Sequence, residues 1–157
     1  MANIEGTTSL SQSLTLAAKL LHEDPGLAEE RIREILRVYP NEPNALNLLG
    51  ASQRLTGQTD LSLQTLQQVV PKQPDFGIGH LELGLTLKAL GKTRQAQAAL
   101  ERAMELVPEI PDGWKALGDV RAANGDEEGS QEAYQNHLLR AAGHHELVEA
   151  ANFLLAN

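Results

Sequence analysis

The sequence predicts an all-α fold built from one pair of helices that is repeated along the chain. Three series of residues recur with a common spacing of 34 residues: Gly50, Gly84 and Gly118; Gly57, Gly91 and Gly125; and Pro40, Pro74 and Pro108. Glycine and proline each meet a specific backbone requirement, so three series with one period indicate a repeated structural unit. The many Leu and Ala residues favour helices within that unit.

The period divides the chain into a single predicted domain of four repeats and a short remainder. These segments are about residues 9–42, 43–76, 77–110, 111–144 and 145–156. Each repeat contains two stretches in which apolar residues return at helical spacing. In the second repeat, Leu46 and Leu49 lie in the first stretch, and Leu63 and Leu66 lie in the second. Each repeat is therefore predicted to be a helical hairpin.

The turn inside most hairpins contains a glycine. Gly57, Gly91 and Gly125 follow the first helices of repeats two to four, where a glycine in the left-handed conformation commonly ends a helix. The predicted N-cap residues of the second helices are Asp24, Thr59, Thr93 and Asp126. Pro71 falls in the last predicted turn of one second helix, so we expect that helix to end near Val70 or to kink there.

A second glycine series, Gly50, Gly84 and Gly118, falls in the middle of the first helices, where glycine costs about 1 kcal/mol relative to alanine. We expect the second helix of each hairpin to approach closely at these points, because a side chain there would hold the two backbones apart. The residues predicted to face the glycines are small, namely Ser62, Ala96 and Ser130. The first repeat has Leu16 at the corresponding position.

These residues resemble the tetratricopeptide repeat family, whose 34-residue helix-turn-helix unit carries a W-x2-L-G signature. The signature is complete in Trp114-Lys115-Ala116-Leu117-Gly118 and weaker in residues 80–84 and 46–50. The resemblance implies a right-handed superhelical solenoid of four hairpins, with residues 145–156 as a C-terminal capping helix. It also implies that the first helices line a concave groove in which a peptide or a helix of a partner protein binds.

The candidate groove residues lie on the first helices of repeats two to four. They are Asn44, Asn47, Leu48, Ala51, Arg54, Ile78, Leu81, Glu82, Leu85, Lys88, Asp112, Lys115, Asp119 and Ala122. Three of them, Ile78, Leu81 and Leu85, recur at i, i+3 and i+7, so they can form an apolar stripe that accepts an amphipathic helix. The alternative is that neighbouring repeats cover this stripe.

One ligand known from the family is not expected here. Some members hold a chaperone's C-terminal carboxylate in a clamp of Lys, Asn and Arg side chains. The five matching positions in this chain are Asn47, Ala51, Glu82, Asp112 and Ala116. They contain no cation and place acids where bases are required, so a carboxylate would be repelled rather than bound.

Trp114 occupies the signature position, so we predict that it packs against its neighbours rather than binding a ligand. His144 and His145 are adjacent and point apart on a helix, so no metal site is predicted there. Residues 126–149 contain six acids and one base, Arg140. Acids favour a helix N-terminus, which accounts for those at 126–128, and the others could form an acidic docking surface.

Composition excludes several other classes of protein. Thirteen basic and twenty-one acidic residues give a net charge of −8, which opposes binding to the phosphate backbone of nucleic acid. Cysteine is absent, which removes disulfides and thiolate metal sites. No apolar run approaches the roughly 20 residues that cross a bilayer, and the N-terminus lacks the features of a signal peptide. We therefore expect a soluble, cytoplasmic protein.

The leading functional prediction is a protein-interaction scaffold without enzyme activity. No phosphate-binding loop, nucleophile motif or metal-ligand spacing is present, so we expect no catalytic residues, cofactors or metals. An alternative is that the chain is the N-terminal repeat region of a larger enzyme, because its pattern also resembles bacterial repeats that precede a sulfotransferase domain. Self-association through the ends of the solenoid is a further alternative.

Overall fold

Helices form every regular element of residues 9–155, which are the residues that the computed structural model describes; side chains are described for residues 9–143, 145 and 146. The α-helices, in chain order, are α1 (Leu10–Glu23), α2 (Pro25–Val38), α3 (Pro43–Leu55), α4 (Thr59–Gln67), α5 (Gly77–Ala89), α6 (Thr93–Leu106), α7 (Pro111–Ala123) and α8 (Glu127–Leu155). A 3-10 turn, Val70–Lys72, follows α4. The predicted all-α fold class is confirmed.

Two compact units divide the chain after Pro74, and each contains two hairpins. In the first unit, α1 pairs with α2 and α3 with α4, and α3 packs against both α1 and α2. In the second unit, α5 pairs with α6 and α7 with α8, and α7 packs against both α5 and α6. Within each unit the first helices of successive hairpins are therefore neighbours. The assignment of the whole chain to one domain stays a prediction.

The hairpin turns agree with the glycine prediction. Gly57, Gly91 and Gly125 have φ angles of +83°, +73° and +85°, and each lies two residues beyond the end of a first helix. A β-carbon is disfavoured at such angles, which explains why this series consists of glycine.

The predicted N-caps are correct at the two aspartates and wrong at the two threonines. Asp24 Oδ1 accepts a hydrogen bond from the amide of Leu27, and Asp126 Oδ1 accepts one from the amide of Gly129. In contrast, Thr59 and Thr93 are the first helical residues of α4 and α6. The residues that precede these threonines make no side-chain capping bond, so these two helices begin without a side-chain cap.

The close approach at the mid-helix glycines is present, but a different residue provides it. A β-carbon built on Gly84 would lie 2.5 Å from Leu100 Cγ. Leu66 stands in the same relation to Gly50, and Tyr134 to Gly118. The side chain that fills the space is thus the large residue 16 positions after the glycine, not the small residue 12 positions after it. Among the small residues, Ser130 donates a hydrogen bond to the carbonyl oxygen of Gly118.

The first repeat differs because its turn is shorter. A single residue, Asp24, separates α1 from α2, whereas three residues separate α3 from α4. The two missing residues shift the register of α1, so that Ala17 is fully buried and Leu16 is 52% exposed. The expectation that Leu16 replaces the mid-helix glycine is therefore wrong. Counted with the shorter turn, the residue that corresponds to Gly50 is Ala18.

Pro71 shortens α4 more than predicted. The helix ends at Gln67, three residues before Val70, and is 9 residues long compared with 14 for α6. Proline lacks an amide donor and its ring crowds the preceding turn, so the last residues of the repeat adopt the tighter 3-10 turn.

The predicted capping segment is helical over its described residues, but it is not a separate helix. It continues α8, which runs without a break for 29 residues from Glu127 to Leu155. Neither a proline nor a glycine turn separates it from the fourth repeat, so nothing in the chain redirects it. The last predicted residue, Ala156, lies outside the described residues.

Candidate functional site

An apolar stripe on α5 is the most open apolar part of the predicted groove in the second unit. Ile78 is 46% exposed, and Leu81 and Leu85 are half-buried. Leu81 packs toward α7, since its Cδ1 lies 3.3 Å from the position of a β-carbon on Gly113. The stripe is therefore a partly open surface that faces solvent beside α7.

A charged cluster lies at one end of this stripe. Lys88 follows Leu81 and Leu85 at helical spacing on α5, and its Nζ lies 2.5 Å from Asp119 Oδ2 on α7. Lys115 Nζ approaches the same oxygen at 3.5 Å. We call the surface formed by Ile78, Leu81, Leu85, Lys88, Lys115 and Asp119 the α5/α7 face. It combines an apolar stripe with a salt-bridged end.

Tyr134 of α8 completes the cluster by donating a hydrogen bond of 2.7 Å to the second carboxylate oxygen of Asp119. The sequence analysis placed Tyr134 only in the repeat pattern and missed this role. No local signal could have revealed it, because the bond depends on α8 packing beside α7. The carboxylate is consequently fixed by Lys88 on one oxygen and by Tyr134 on the other.

The electrostatics of the cluster favour a charged Asp119. Burial raises the pKa of its carboxyl, but the hydrogen bonds from Lys88 and Tyr134, with the charges of Lys88 and Lys115, outweigh burial and lower that pKa below its ordinary value of 3.8. The same hydrogen bond to Asp119, together with burial, raises the pKa of the Tyr134 hydroxyl above 10.0. Asp119 is therefore an anion and Tyr134 a neutral donor at neutral pH.

Two acidic residues that were predicted for the groove contribute less open surface. Glu82 is buried and has interaction partners of its own. Asp112 is exposed in the first turn of α7, where a negative charge is favoured by the helix dipole. Ala122, near the end of α7, is exposed.

The predicted groove residues of the first unit are largely packed. Asn47 and Ala51 of α3 are buried, and Leu48 packs against the apolar core of that unit. Arg54 is half-buried and has a partner, while Asn44 is exposed and donates a hydrogen bond to Glu42. Within this unit the predicted residues thus offer little open apolar surface compared with the stripe on α5.

Trp114 lies outside the α5/α7 face, in the contact between α7 and α8. Its Nε1 donates a hydrogen bond of 2.7 Å to the carbonyl oxygen of Pro108, and the guanidinium carbon of Arg140 lies 4.9 Å from the centre of its ring. Arg140 Nε also donates to the Pro108 carbonyl. These contacts agree with a packing role, although the ring is half-buried rather than enclosed.

Neither a metal site nor a membrane span is found in the described part of the chain. Its side chains contain no group of three His, Cys, Asp or Glu residues arranged to hold a metal ion. Within the same limits, no helix combines the length and the apolar character needed to cross a bilayer. The side chain of His144 lies outside the described residues.

Comparison with known families gives a match over most of the chain. A family described as "Tetratricopeptide repeat" matches residues 18–75 and 81–146. The match covers parts of all four hairpins and includes the residues of the α5/α7 face from Leu81 to Asp119.

Similar curated proteins also contain such repeats. The chain is 33% identical over 126 residues to cellulose synthase operon protein C of Xanthomonas axonopodis pv. citri, and 29% identical over 134 residues to human tetratricopeptide repeat protein 7A. These alignments span 73% and 83% of this chain but only 8% and 16% of the two relatives. A TPR repeat-containing protein of Pseudomonas aeruginosa is 31% identical over 84 residues, which is 54% of this chain and 80% of that protein.

Solved structures with the same fold include several of the protein MamA. One crystal structure of MamA superimposes with a TM-score of 0.69 and 15% identity, covering 88% of this chain and 81% of that one. MamA residues 41 to the end from Desulfovibrio magneticus RS-1 give a TM-score of 0.68 and 21% identity, covering 85% and 76%. Identities this low make the likeness one of fold alone.

Proposed function

The chain belongs to the tetratricopeptide repeat family, and on that premise we propose that it is a protein-interaction scaffold that binds a peptide or a helix of a partner protein on the α5/α7 face. Membership of a repeat family with this fold points to a non-catalytic protein. The binding surface itself, and the occupant, are our proposal.

The exposure of Ile78 next to the half-buried Leu81 and Leu85 carries this proposal. An amphipathic helix binds through anchors spaced at i, i+3 or i+4 and i+7, and the stripe on α5 offers apolar contacts at that spacing. The salt bridge between Lys88 and Asp119 holds α5 and α7 together beside the stripe. Because the two helices are already joined, a ligand would meet a preformed surface and lose little free energy in ordering it.

A display experiment tests the proposal directly. A library of random peptides long enough to form about four helical turns would be selected on the immobilised protein, and the binders would be mapped by amide chemical-shift changes. We expect enriched sequences with apolar residues at i, i+3 or i+4 and i+7, and shifts confined to α5 and α7. Shifts centred on α2 or α6, or enrichment of sequences without apolar anchors, would contradict the proposed surface.

The remaining predictions keep the same standing. A larger enzyme that carries these repeats before a sulfotransferase domain is tested by the reading frame beyond Asn157, where such a domain must be encoded. Cytoplasmic placement and a lack of nucleic-acid binding follow from the sequence features and the net charge, and fractionation and a salt-dependent DNA-binding assay test them. A second copy of this chain is included among the proposed protein partners.

A further inference from the structure

Successive hairpins in the second unit pack through one face of α6. Asn124 donates a hydrogen bond of 2.7 Å to Gln97, and Arg121 forms a salt bridge of 3.2 Å with Glu101. On the same face, Met104 fills the space beside α7 so completely that a β-carbon on Gly113 would collide with its Cε methyl group. Met104 is only 3% exposed as a result.

The first unit uses the corresponding positions in the same way. Glu29 and Leu36 lie 68 residues before Gln97 and Met104. Glu29 accepts a hydrogen bond from Gln58 at the end of the turn after α3, and Leu36 packs against the core that α3 shares. This face of a second helix is therefore the face that receives the next hairpin.

On α8 the same face has no hairpin to receive. The residues 34 positions after Gln97, Glu101 and Met104 are Gln131, Gln135 and Leu138, and all three are exposed. Leu138 is 65% exposed at the position where Met104 is 3% exposed. A large apolar side chain therefore stands ready at a position that is buried in the preceding repeat.

At the opposite end of the repeat array, the first hairpin has an open groove of about 500 Å³ between α1 and α2. Its lining is mostly apolar and includes Leu10, Ser13, Leu16, Ile35, Val38 and Tyr39. Counting back from Gly113 by two 34-residue repeats reaches the buried Ala45, and counting back by the shorter first repeat reaches Ser13. The groove is thus centred on the small residue that matches the contact point of Met104.

We propose that a second copy of this chain binds head to tail, with Leu138 of one copy inserted beside Ser13 of the other. The contact would repeat the packing of Met104 on Gly113, with the exposed Leu16 and Val38 covering the inserted side chain. Such a contact is heterologous, because the two copies use different surfaces and each keeps one unused end. The proposal goes beyond peptide binding, since no residue of the α5/α7 face takes part.

Sedimentation velocity over a concentration series tests it, with Leu138→Glu and Leu16→Glu as the interrupting variants. We expect the wild-type protein to associate as its concentration rises to about 1 mM, and each variant to weaken association by about tenfold or more because a charge would be buried without a partner. Leu139→Glu is the matched control: Leu139 is 72% exposed, and the third repeat already has Glu105 at its position. All three variants should keep the wild-type melting temperature.

Mixing the two interrupted variants gives the decisive result. The Leu138→Glu protein keeps its groove and the Leu16→Glu protein keeps its α8 surface, so together they should form a dimer that grows no further. Association of the Leu16→Glu protein alone would mean that two α8 surfaces pair, which overturns the proposal. A wild-type protein that remains monomeric throughout, or equal weakening by Leu139→Glu, would overturn it as well.

Discussion

Lys88 and Asp119 form a salt bridge of 2.5 Å between the first helices of successive hairpins, 31 positions apart in the chain. The carboxylate is held on its other oxygen by Tyr134, so three helices meet at one charged group. This arrangement places a charge-dependent contact beside the apolar stripe, and its response to pH can be predicted.

Replacing Asp119 by Asn should lower stability by about 1 kcal/mol at neutral pH. The folded-state pKa of Asp119 lies below its ordinary value, so its contribution is present above about pH 4 and is lost as pH falls through the folded-state pKa. Urea unfolding of both proteins at about pH 7 and about pH 3 should therefore show the difference in unfolding free energy shrinking at low pH. A difference that is the same at both pH values would mean that the charge of Asp119 does not stabilise the contact.

Tyr134 should ionise at a higher pH than an ordinary tyrosine. The pKa of its hydroxyl is raised, so the stability it contributes is present below about pH 10 and is lost as pH rises through the folded-state pKa. The Tyr39→Phe protein has Tyr134 as its single tyrosine, which allows titration by phenolate absorbance. Adding Asp119→Asn should move the midpoint down toward 10, whereas an unchanged midpoint would rule out Asp119 as the cause.

Gly84→Ala tests the close contact between the helices of a hairpin. The new methyl group would lie 2.5 Å from Leu100 Cγ and 3.3 Å from the Leu100 amide nitrogen, so overpacking should destabilise the fold by about 1 to 3 kcal/mol. Gly143 in α8 is the matched control because no described atom lies within 4 Å of its added methyl group. Gly143→Ala should instead raise stability by about 0.5 to 1 kcal/mol. Thermal unfolding of both variants should shift in opposite directions, and a stabilised Gly84→Ala would contradict the close packing.

Trp114→Ala should destabilise the fold by about 2 to 3 kcal/mol, somewhat less than the loss of a fully buried Trp, because the ring is half-buried. Removing the stacked cation with Arg140→Met should cost about 0.5 to 1 kcal/mol, since a cation over an aromatic ring at an exposed site contributes that much. Chemical denaturation measures both values. Equal losses would show that the stacked Arg140, rather than the packing of the ring, accounts for the effect of Trp114.

The repeat period predicted the features that a single residue type determines locally. The left-handed turns at Gly57, Gly91 and Gly125 are the best example, because glycine is the residue that adopts such angles without strain. The period also predicted close helix contact at Gly84. It did not identify Leu100 as the contacting residue, because side-chain direction along α6, and not residue size, decides which atoms fill the gap.

Other features could not be predicted because they depend on irregular or non-local structure. The two-residue deletion in the first turn shifted α1 and moved Leu16 to the surface, which a fixed period of 34 residues hides. The bond between Asp119 and Tyr134 joins different helices and leaves no local pattern. Within the predicted groove, the sequence assigned Asn47 and Ile78 to one class of residue, although packing buries the first and exposes the second.

The affinity of one selected peptide for two matched variants tests the proposed binding surface most directly. Ile78→Ser removes an exposed apolar side chain from the α5/α7 face, and Leu61→Ser removes a similarly exposed one from α4. With melting temperatures unchanged, fluorescence anisotropy should give a Kd that is weaker by about tenfold for Ile78→Ser, because an apolar anchor contributes about 1.4 kcal/mol or more. The Kd for Leu61→Ser should equal that of the wild type. Equal Kd values for Ile78→Ser and the wild type would contradict the proposed surface.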